Sequence, residues 1–259
     1  LLKLTTFGPV FTSSATFSVA ENQTSIGTVT ATDADSGDSI TFTVSGSELS
    51  MTSAGVLTFA SAPDYETKPT YTATVTASDG TNSTTQSITV NVTNVNDNSP
   101  VFTSGATFSA AENQTSIGTV TATDADSGDS ITFTVSGSEL AITSGGVLSF
   151  KAAADYETKP TYTATVTASD GTNTETQAIT VNVSDANDNA PIIESSPVFS
   201  AAENQTSIGT VRATDSDSSS IIFTVSGAEL AITSDGVLSF ASAPDYETKA
   251  SYTATVTAS

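Results

Sequence analysis

The chain has 259 residues, a formal net charge of −22 and only six lysine or arginine residues. This charge excludes a nucleic-acid-binding protein, because no basic surface exists to neutralise phosphates, and it would also repel an anionic membrane. The sequence contains no cysteine and no histidine, which excludes disulfides, thiol catalysis, catalytic triads and the usual zinc sites. With no visible signal peptide and no apolar run of roughly 18 residues, we expect a segment internal to a longer protein.

An internal repeat organises the chain. The sequence AENQTSIGTV recurs at a spacing of 91 residues, beginning at Ala20, Ala111 and Ala202. A second motif, DYETK, begins at Asp64, Asp155 and Asp245, so the third copy has lost one residue between the two motifs. We therefore predict three modules of about ninety residues, called repeats 1, 2 and 3, with bounds 9–98, 99–189 and 190–259.

An irregular apolar lead segment, residues 1–8, precedes repeat 1 and reads LLKLTTFG. Pro9 aligns with Pro100 and Pro191, but the Asn and Asp residues that precede the later two prolines are missing here. The segment is either a strand contributed to a neighbouring sheet or the end of an unrelated element. Carboxylate and amide oxygens are the ligands that Ca²⁺ prefers in proteins, and without them we expect this segment not to bind calcium. A further hypothesis is that it completes the open sheet of repeat 3 in a neighbouring copy, which would build a filament.

Within each repeat, apolar residues alternate with Thr and Ser, which predicts half-buried antiparallel strands rather than helices. In repeat 2 the predicted inward-facing residues are Val120, Ala122, Ile131, Phe133, Val135, Leu148, Phe150, Tyr162, Ala164, Val166, Ala168, Ile179, Val181 and Val183. About seven short strands per repeat predict an all-β chain of tandem immunoglobulin-like β-sandwiches. Because the sequence stops at Ser259, we expect the third sandwich to lack its last strand.

Two octapeptides rich in Asp and Asn separate the repeats: TNVNDNSP at residues 93–100 and SDANDNAP at residues 184–191. Carboxylate and amide oxygens are the ligands that Ca²⁺ prefers, and the closing proline stiffens the chain there. Other acidic residues follow predicted strands. Asp124 and Asp126 continue the every-second-residue pattern of Val120 and Ala122, which places all four on the same side of an extended chain. Residues i and i+2 of an extended chain point the same way, so these two carboxylates can share one ion.

Taken together, these motifs resemble the cadherin repeat, and the resemblance extends from about Pro9 onward. In repeat 2 the matching motifs are Glu112-Asn113, Asp124-x-Asp126, Asp155-x-Glu157, Ala168-x-Asp170-Gly171 and Asp185-x-Asn187-Asp188-Asn189-x-Pro191. The short, Thr-rich modules look most like the cadherin-like repeats of large bacterial surface proteins. The chain has no Trp, so the strand exchange that animal cadherins anchor with a Trp is not expected.

The resemblance implies about three Ca²⁺ ions at each junction between repeats. The implied ligands of the first junction are Glu21, Asp64, Glu66, Asn94, Asn96, Asp97, the Asn98 carbonyl, Asp124, Asp126 and Asp170. The implied ligands of the second junction are Glu112, Asp155, Glu157, Asp185, Asn187, Asp188, the Asn189 carbonyl, Asp215 and Asp217. Asn94 stands where the second linker has Asp185, so we expect the first junction to hold its ions less tightly.

The positions of the acidic residues favour metal binding over a merely solvated surface, because 20 of the 28 fall at motif positions. The leading functional hypothesis is a calcium-rigidified segment of an extracellular adhesin or surface fibre, whose partners are calcium and neighbouring repeats or copies of the same protein. The alternative is a carbohydrate-binding or accessory module of a secreted polysaccharide-active protein, with Tyr65, Tyr156 and Tyr246 as candidate aromatic platforms. We do not expect an enzyme, because paired carboxylates such as Asp124 and Asp126 are more simply calcium ligands.

Overall fold

A computed structural model describes residues 7–35, 37, 39–218 and 220–259. Over these residues the chain consists of strands, turns and loops, and none of them forms a helix able to cross a membrane. Most of the lead segment, residues 1–6, lies outside the described residues, so the hypotheses that concern it stay predictions.

Repeat 1 forms two sheets that enclose a core. Its strands are β1 (Val10–Phe11), β2 (Thr16–Ala20), β3 (Ser25–Thr28), β4 (Ala31–Thr32), β5 (Thr41–Val44), β6 (Leu49–Met51), β7 (Val56–Phe59), β8 (Thr70–Ser78) and β9 (Ser83–Thr93). One sheet has the order β2-β9-β8-β5, the other has the order β3-β7-β6, and β1 pairs with β4. Strand β2 runs parallel to β9, whereas β8 and β9 form a long antiparallel hairpin.

The core of repeat 1 follows directly from the alternation of its strands. In β8, Tyr71 and Ala73 are half-buried and Val75 and Ala77 are buried, while most of the intervening Thr side chains are exposed. Residues from both sheets meet in this core, among them Ile88 of β9 and Leu57 of β7. Burial of these apolar side chains is the main favourable contribution to folding, at about 1.5–3 kcal/mol for each fully buried Val, Leu or Ile.

Repeat 2 has the same order of elements. Its strands are β10 (Val101–Phe102), β11 (Thr107–Ala111), β12 (Ser116–Thr119), β13 (Ala122–Thr123), β14 (Thr132–Val135), β15 (Leu140–Ile142), β16 (Val147–Phe150), β17 (Thr161–Ser169) and β18 (Thr174–Ser184). The sheets have the orders β11-β18-β17-β14 and β12-β16-β15, and β10 pairs with β13. All fourteen residues predicted to face inward are buried or half-buried, so the period-two interpretation is confirmed. Leu140, which the alternation did not single out, is also buried.

Repeat 3 contributes β19 (Ile192–Ile193), β20 (Ser207–Thr210), β21 (Ala213–Thr214), β22 (Phe223–Val225), β23 (Leu230–Ile232), β24 (Val237–Phe240) and β25 (Val256–Ala258). The order β20-β24-β23 repeats that of the other two repeats, and β22 pairs with β25. Its core contains Val211, Phe223 and Leu238 as buried residues. The chain is therefore all-β throughout its described part, as the sequence predicts.

The chain separates into two compact units that cut across repeat 2. The first unit contains Leu1–Ser104, Thr121–Phe133 and Thr167–Thr176, and the second contains Gly105–Val120, Thr134–Val166 and Gln177–Ser259. The first linker and the loops that carry Asp124, Asp126 and Asp170 thus belong to the first unit. The second linker and the loops that carry Asp215 and Asp217 belong to the second. Each acidic junction can therefore be described within a single unit.

Candidate metal centres

The first junction is built around the buried carboxylate of Glu21, which follows the last residue of β2 and is only 4% exposed. Its two oxygens accept hydrogen bonds from the backbone amides of Tyr65, at 2.7 Å, and Val95, at 2.8 Å. One oxygen each from Glu21, Glu66 and Asp97 lie within 4.8 Å of one another. Three separate sequence motifs therefore bring carboxylates to one point.

Asn94 adds a further polar group beside these carboxylates. A terminal atom of its amide lies 2.7 Å from Glu66 Oε1 and 3.3 Å from Asp126 Oδ1. If this atom is the nitrogen, the amide donates to both carboxylates. If it is the oxygen, three oxygens converge with no proton between them, an arrangement that needs a cation. Asn94 can therefore either donate to these carboxylates or offer them a further oxygen as a co-ligand.

Asp126 joins the linker to repeat 2 and is 3% exposed. Its Oδ2 accepts hydrogen bonds from the backbone amides of Asp97, at 3.0 Å, and Asn98, at 2.8 Å. Its own backbone amide donates to Asp124 Oδ1 at 2.9 Å. The Asp-x-Asp pair therefore forms a turn. The Asp126 carboxylate binds the linker backbone, whereas Asp124 binds the turn through Oδ1 and has a second oxygen that takes no part in it.

That second oxygen, Asp124 Oδ2, has no hydrogen-bond partner in the described structure although it is shielded from solvent, and the same holds for Asp129 Oδ2. Asp124, Asp126 and Asp129 each place one oxygen within 4.8 Å of the others. Burial raises the pKa of Asp129, and the charges of Asp126, Asp170 and Asp124 raise it further. Shielded, unpaired carboxylate oxygens are costly, and a hard cation such as Ca²⁺ is the group that would satisfy them.

The carboxylate of Asp170 shapes the loop after β17. Its Oδ1 accepts hydrogen bonds from the backbone amides of Thr172, at 2.7 Å, and Asn173, at 2.6 Å. The side-chain amide of Asn173 in turn donates to Asn96 Oδ1 at 2.6 Å and to the Asn98 carbonyl at 2.8 Å. Asp170 and the two linker asparagines are thus brought to the same end of repeat 2 through Asn173.

Asp64 and Asp155 differ from the other predicted ligands. Asp64 accepts hydrogen bonds from the hydroxyl and the backbone amide of Thr67, at 2.7 and 3.2 Å, and the hydroxyl bond is the main cause of its lowered pKa. Asp155 makes the same pair of bonds with Thr158, at 2.8 and 3.1 Å. Among the described residues, neither aspartate belongs to a group of converging carboxylates. Both bind the turn of the DYETK motif through these hydrogen bonds.

The second junction repeats the arrangement around Glu112, which is 5% exposed. Glu112 accepts hydrogen bonds from the backbone amides of Tyr156, at 2.8 Å, and Ala186, at 2.6 Å. Its carboxylate converges with those of Glu157 and Asp185 to within 4.8 Å. Burial raises the pKa of Asp185, and so do the charges of Asp217, Glu112 and Asp188.

A second group at this junction contains Glu157, Asp188 and Asp217, again within 4.8 Å. Asp217 accepts hydrogen bonds from the backbone amides of Asp188, at 2.7 Å, and Asn189, at 2.5 Å. The bond from the Asn189 backbone is the main cause that lowers the pKa of Asp217 to about 2. Asp215 accepts from the Asp217 backbone amide at 2.9 Å, and Asn187 lies exposed in the same linker.

Asn22 and Asn113 were part of the predicted Glu-Asn motif but were not predicted to act in the site. Both have a left-handed backbone, with φ of 63° and 61°, which asparagine tolerates better than most residues. The Asn22 side chain donates to Asp97, and the Asn113 side chain donates to Asp188. Asn173 and Asp129 were also missed. The clue available for all four was an Asn or Asp within three residues of a motif carboxylate.

Two unmatched groups of acidic residues lie at other positions. In repeat 1, Asp35 accepts a hydrogen bond from the Phe7 backbone amide at 2.7 Å, and Asn82 donates to the Phe7 carbonyl at 3.0 Å. The backbone of Phe7 thus makes the contacts that Asn98 makes in repeat 2. In repeat 3, Glu203, Asp245 and Glu247 converge to within 4.8 Å, and all three are exposed.

The candidate aromatic platforms do not share one environment. Tyr65 is half-buried and packs against the core of repeat 1. Tyr156 is also half-buried, whereas Tyr246 is 64% exposed. Tyr65 is therefore in part a core residue.

Two family models match the chain. Residues 15–93 match the model described as a cadherin domain, and residues 96–183 match the model described as a bacterial Ig domain. The two matched segments are nearly identical copies of one repeat. Both descriptions therefore apply to the same type of sandwich.

Curated proteins with similar sequences include the cadherin EGF LAG seven-pass G-type receptors 1 and 2 of mouse. Each is 33% identical over 160 residues, which is 55% of this chain. The chain covers only 5% of receptor 1 and 6% of receptor 2. The similarity therefore concerns the repeat rather than the whole receptor.

Solved structures with a similar fold contain tandem cadherin domains. The crystal structure of mouse cadherin-23 EC22-24 has a TM-score of 0.74 at 26% identity, and the match covers 96% of this chain and 92% of that one. The extracellular cadherin domains 1-5 of protocadherin gamma B2 have a TM-score of 0.70 at 28% identity, over 97% of this chain and 56% of that one. These matches confirm the predicted fold class.

Proposed function

Because the chain consists of tandem cadherin-like repeats, we propose that it is a calcium-rigidified segment of an extracellular adhesin or surface fibre. Cadherin repeats bind Ca²⁺ at their junctions, and this chain has carboxylates gathered at the corresponding places. The segment would act as a stiff spacer when its junctions are loaded with calcium. It would become flexible when calcium is removed.

The convergence of Glu21, Glu66 and Asp97 to within 4.8 Å is the observation that carries this proposal. Two carboxylates about 4 Å apart repel by about 4 kcal/mol at an effective dielectric constant near 20. Such a group is stable only if protons or cations reduce its charge. Glu112, Glu157 and Asp185 repeat the arrangement at the second junction, which supports a function common to both.

We assign about three Ca²⁺ ions to each junction, held by the ligands that the cadherin resemblance implies. Glu21 and Glu112 would stand at the centre of their sites, since each already links two backbone segments. Asp64 and Asp155 would join when their side chains leave Thr67 and Thr158. The three repeats, at residues 9–98, 99–189 and 190–259, would be the units that the metal connects.

The proposed location follows from the affinity of such sites. Extracellular calcium modules bind with dissociation constants of roughly 10⁻⁴–10⁻³ M, so these junctions would be loaded outside cells and metal-free in cytosol. The protocadherin gamma B2 structure is described as extracellular domains, in keeping with this assignment. Expected partners are calcium, neighbouring repeats and further copies of the protein.

The proposal assigns no catalytic role to the chain. The paired carboxylates Asp124 and Asp126 are linked through the turn that fixes the linker, which suits a structural metal site. The carbohydrate-binding alternative has weaker support, because Tyr65 packs against the core instead of presenting an open aromatic face.

The proposal is tested by small-angle scattering and thermal melting of the whole chain, in about 2 mM Ca²⁺ and in chelator, a concentration chosen to exceed the roughly 10⁻⁴–10⁻³ M range. We expect a larger maximum dimension and a higher Tm with Ca²⁺, because binding to the folded state stabilises it by mass action. Equal scattering profiles and equal melting temperatures in the two conditions would rule the proposal out.

A matched pair of variants separates metal binding from a general effect of charge. The double variant Glu66→Gln/Glu157→Gln removes one carboxylate from each junction. The control, Glu48→Gln/Glu139→Gln, removes two exposed carboxylates that pair with Lys68 and Lys159. Only the first variant is expected to reduce the response to calcium.

A further inference from the structure

Asp129 lies in the loop between β13 and β14, outside the motifs that the sequence pattern identified. One of its carboxylate oxygens lies within 4.8 Å of oxygens of Asp124 and Asp126. Asp126 is already engaged, since its Oδ2 accepts hydrogen bonds from the backbone amides of both Asp97 and Asn98. Asp124 and Asp129 therefore hold the oxygens that remain for a ligand.

The unpaired atoms point to the ligand more directly than the acidic cluster does. Asp124 Oδ2 and Asp129 Oδ2 are both shielded from solvent and lack a hydrogen-bond partner in the described structure. A shielded carboxylate oxygen without a donor is costly. Two of them beside a third carboxylate call for a bound cation, because a neutral ligand could not offset their charge. Hard divalent cations with oxygen preference fit this donor set.

The corresponding loop of repeat 3 lacks this aspartate. Residues 124–131 read DADSGDSI, whereas residues 215–221 read DSDSSSI and are one residue shorter. Apart from Asp170, which has no counterpart among the implied ligands of the second junction, the two junctions differ in acidic residues at two places. The first has Asn94 where the second has Asp185, and the first has Asp129 where the second has no acidic residue. The first junction thus lacks the linker carboxylate that Asp185 provides in the second, but it has the carboxylate of Asp129 in the loop of the following repeat.

We propose that Asp129 is a ligand of a divalent cation at the first junction, shared with Asp124, and that it makes the two junctions inequivalent. This inference rests on the proposed calcium binding at the junctions. The first junction binds its cation most tightly on the side of repeat 2, beside Asp124 and Asp129. The second junction lacks that ligand beside Asp215 and relies on Asp185 in its linker.

The test uses the whole chain with Asp129→Asn, and the probe is Ca²⁺ alone, titrated calorimetrically. Glu175→Gln is the control, because Glu175 carries the same charge, is exposed and belongs to the same unit. It also lies outside the acidic groups found among the described residues. We expect Asp129→Asn to weaken one class of sites by about tenfold and to leave the other sites unchanged. Glu175→Gln should behave like the unmodified chain.

Thermal melting of the same proteins distinguishes a ligand from a structural residue. With Ca²⁺ the Asp129→Asn variant should melt at a lower temperature than the unmodified chain, because a ligand is lost. In chelator it should melt at an equal or higher temperature, because the repulsion among Asp124, Asp126 and Asp129 is reduced. A lower Tm in both conditions, or unchanged calcium binding, would overturn the inference. An unmodified chain that binds no calcium would instead overturn the proposed function.

Discussion

Asp126 and Asn98 are joined by two hydrogen bonds, one from the Asn98 backbone amide to Oδ2 at 2.8 Å and one from its side-chain amide to Oδ1 at 3.2 Å. The Asp97 backbone amide also donates to this carboxylate. One side chain of repeat 2 thus binds the end of the first linker through its backbone amides. If the proposed cation binds here, these hydrogen bonds would reduce the ordering that its binding must bring about.

This relationship predicts that Asp126→Ala destabilises the chain even in chelator. The substitution leaves the amides of Asp97 and Asn98 without their acceptor, and we expect a loss of about 3 kcal/mol in the free energy of unfolding. Urea denaturation in chelator measures it. Asp35→Ala is the matched control, because Asp35 occupies the same motif position in repeat 1 and, among the residues that the structure describes, accepts from one backbone amide, that of Phe7. A loss for Asp126→Ala no larger than that for Asp35→Ala would contradict the prediction.

Much of this site could be predicted from sequence, for a physical reason. Glu21 directly follows β2 and Asp124 directly follows β13, so the alternation of the strand determines which carboxylates are carried to the end of a sandwich. The converging groups Glu21–Glu66–Asp97 and Glu112–Glu157–Asp185 consist of residues that the resemblance to the cadherin repeat implies as ligands. Just after a strand ends, its two-residue alternation still determines the direction in which the next side chains point.

The residues that were missed lie where periodicity stops. The position of Asp129 depends on how its loop closes, and Asn22 acts through a left-handed turn. Asp64 is the reverse case, because it was predicted as a ligand but does not converge with other carboxylates among the described residues. The hydroxyl of Thr67, only three residues away, binds its carboxylate instead. Local side-chain hydrogen bonds of this kind are not visible in an apolar–polar pattern.

Asn22 offers a test of the turn itself. Asn22→Gly keeps the left-handed backbone accessible and loses only the side-chain bond to Asp97. Asn22→Ala loses the same bond and must also adopt a φ of 63°, which adds about 1 kcal/mol of strain. We therefore expect the alanine variant to be less stable than the glycine variant in urea denaturation. Equal stability would show that the turn relaxes without strain.

Gly55 and Gly46 allow the strain of a backbone to be separated from a steric clash. Both have a left-handed backbone, with φ of 85° and 83°. A Cβ on Gly55 would lie 2.3 Å from the Val29 carbonyl oxygen, whereas a Cβ on Gly46 would meet nothing within 4 Å. Gly46→Ala should therefore cost about 1 kcal/mol and Gly55→Ala about 3 kcal/mol. Thermal melting in Ca²⁺ compares them, and a similar loss for both would refute the clash.

The last prediction concerns pH and uses two carboxylates of the second junction whose pKa values are shifted in opposite directions. Burial raises the pKa of Glu157 above its usual 4.5, and the charges of Glu112 and Asp217 add to this. Its charged form therefore opposes folding at neutral pH, and this cost disappears as the pH falls through the raised pKa. In chelator at pH 7 we expect Glu157→Gln to be more stable than the unmodified chain, with the difference vanishing below about pH 4.

Asp217 should behave in the opposite way, because the backbone amide of Asn189 lowers its pKa from 3.8 to about 2. Its charged form favours the folded state at neutral pH, and that contribution is lost as the pH falls from near 4 to about 2. Asp217→Asn should therefore be less stable than the unmodified chain at pH 7 in chelator, with the difference narrowing toward about pH 2. Because both carboxylates belong to the same converging group, both substitutions should weaken calcium binding. We therefore expect the two substitutions to change stability in opposite directions in chelator and to weaken calcium binding alike. Stability changes of the same sign in chelator would contradict the assigned pKa shifts.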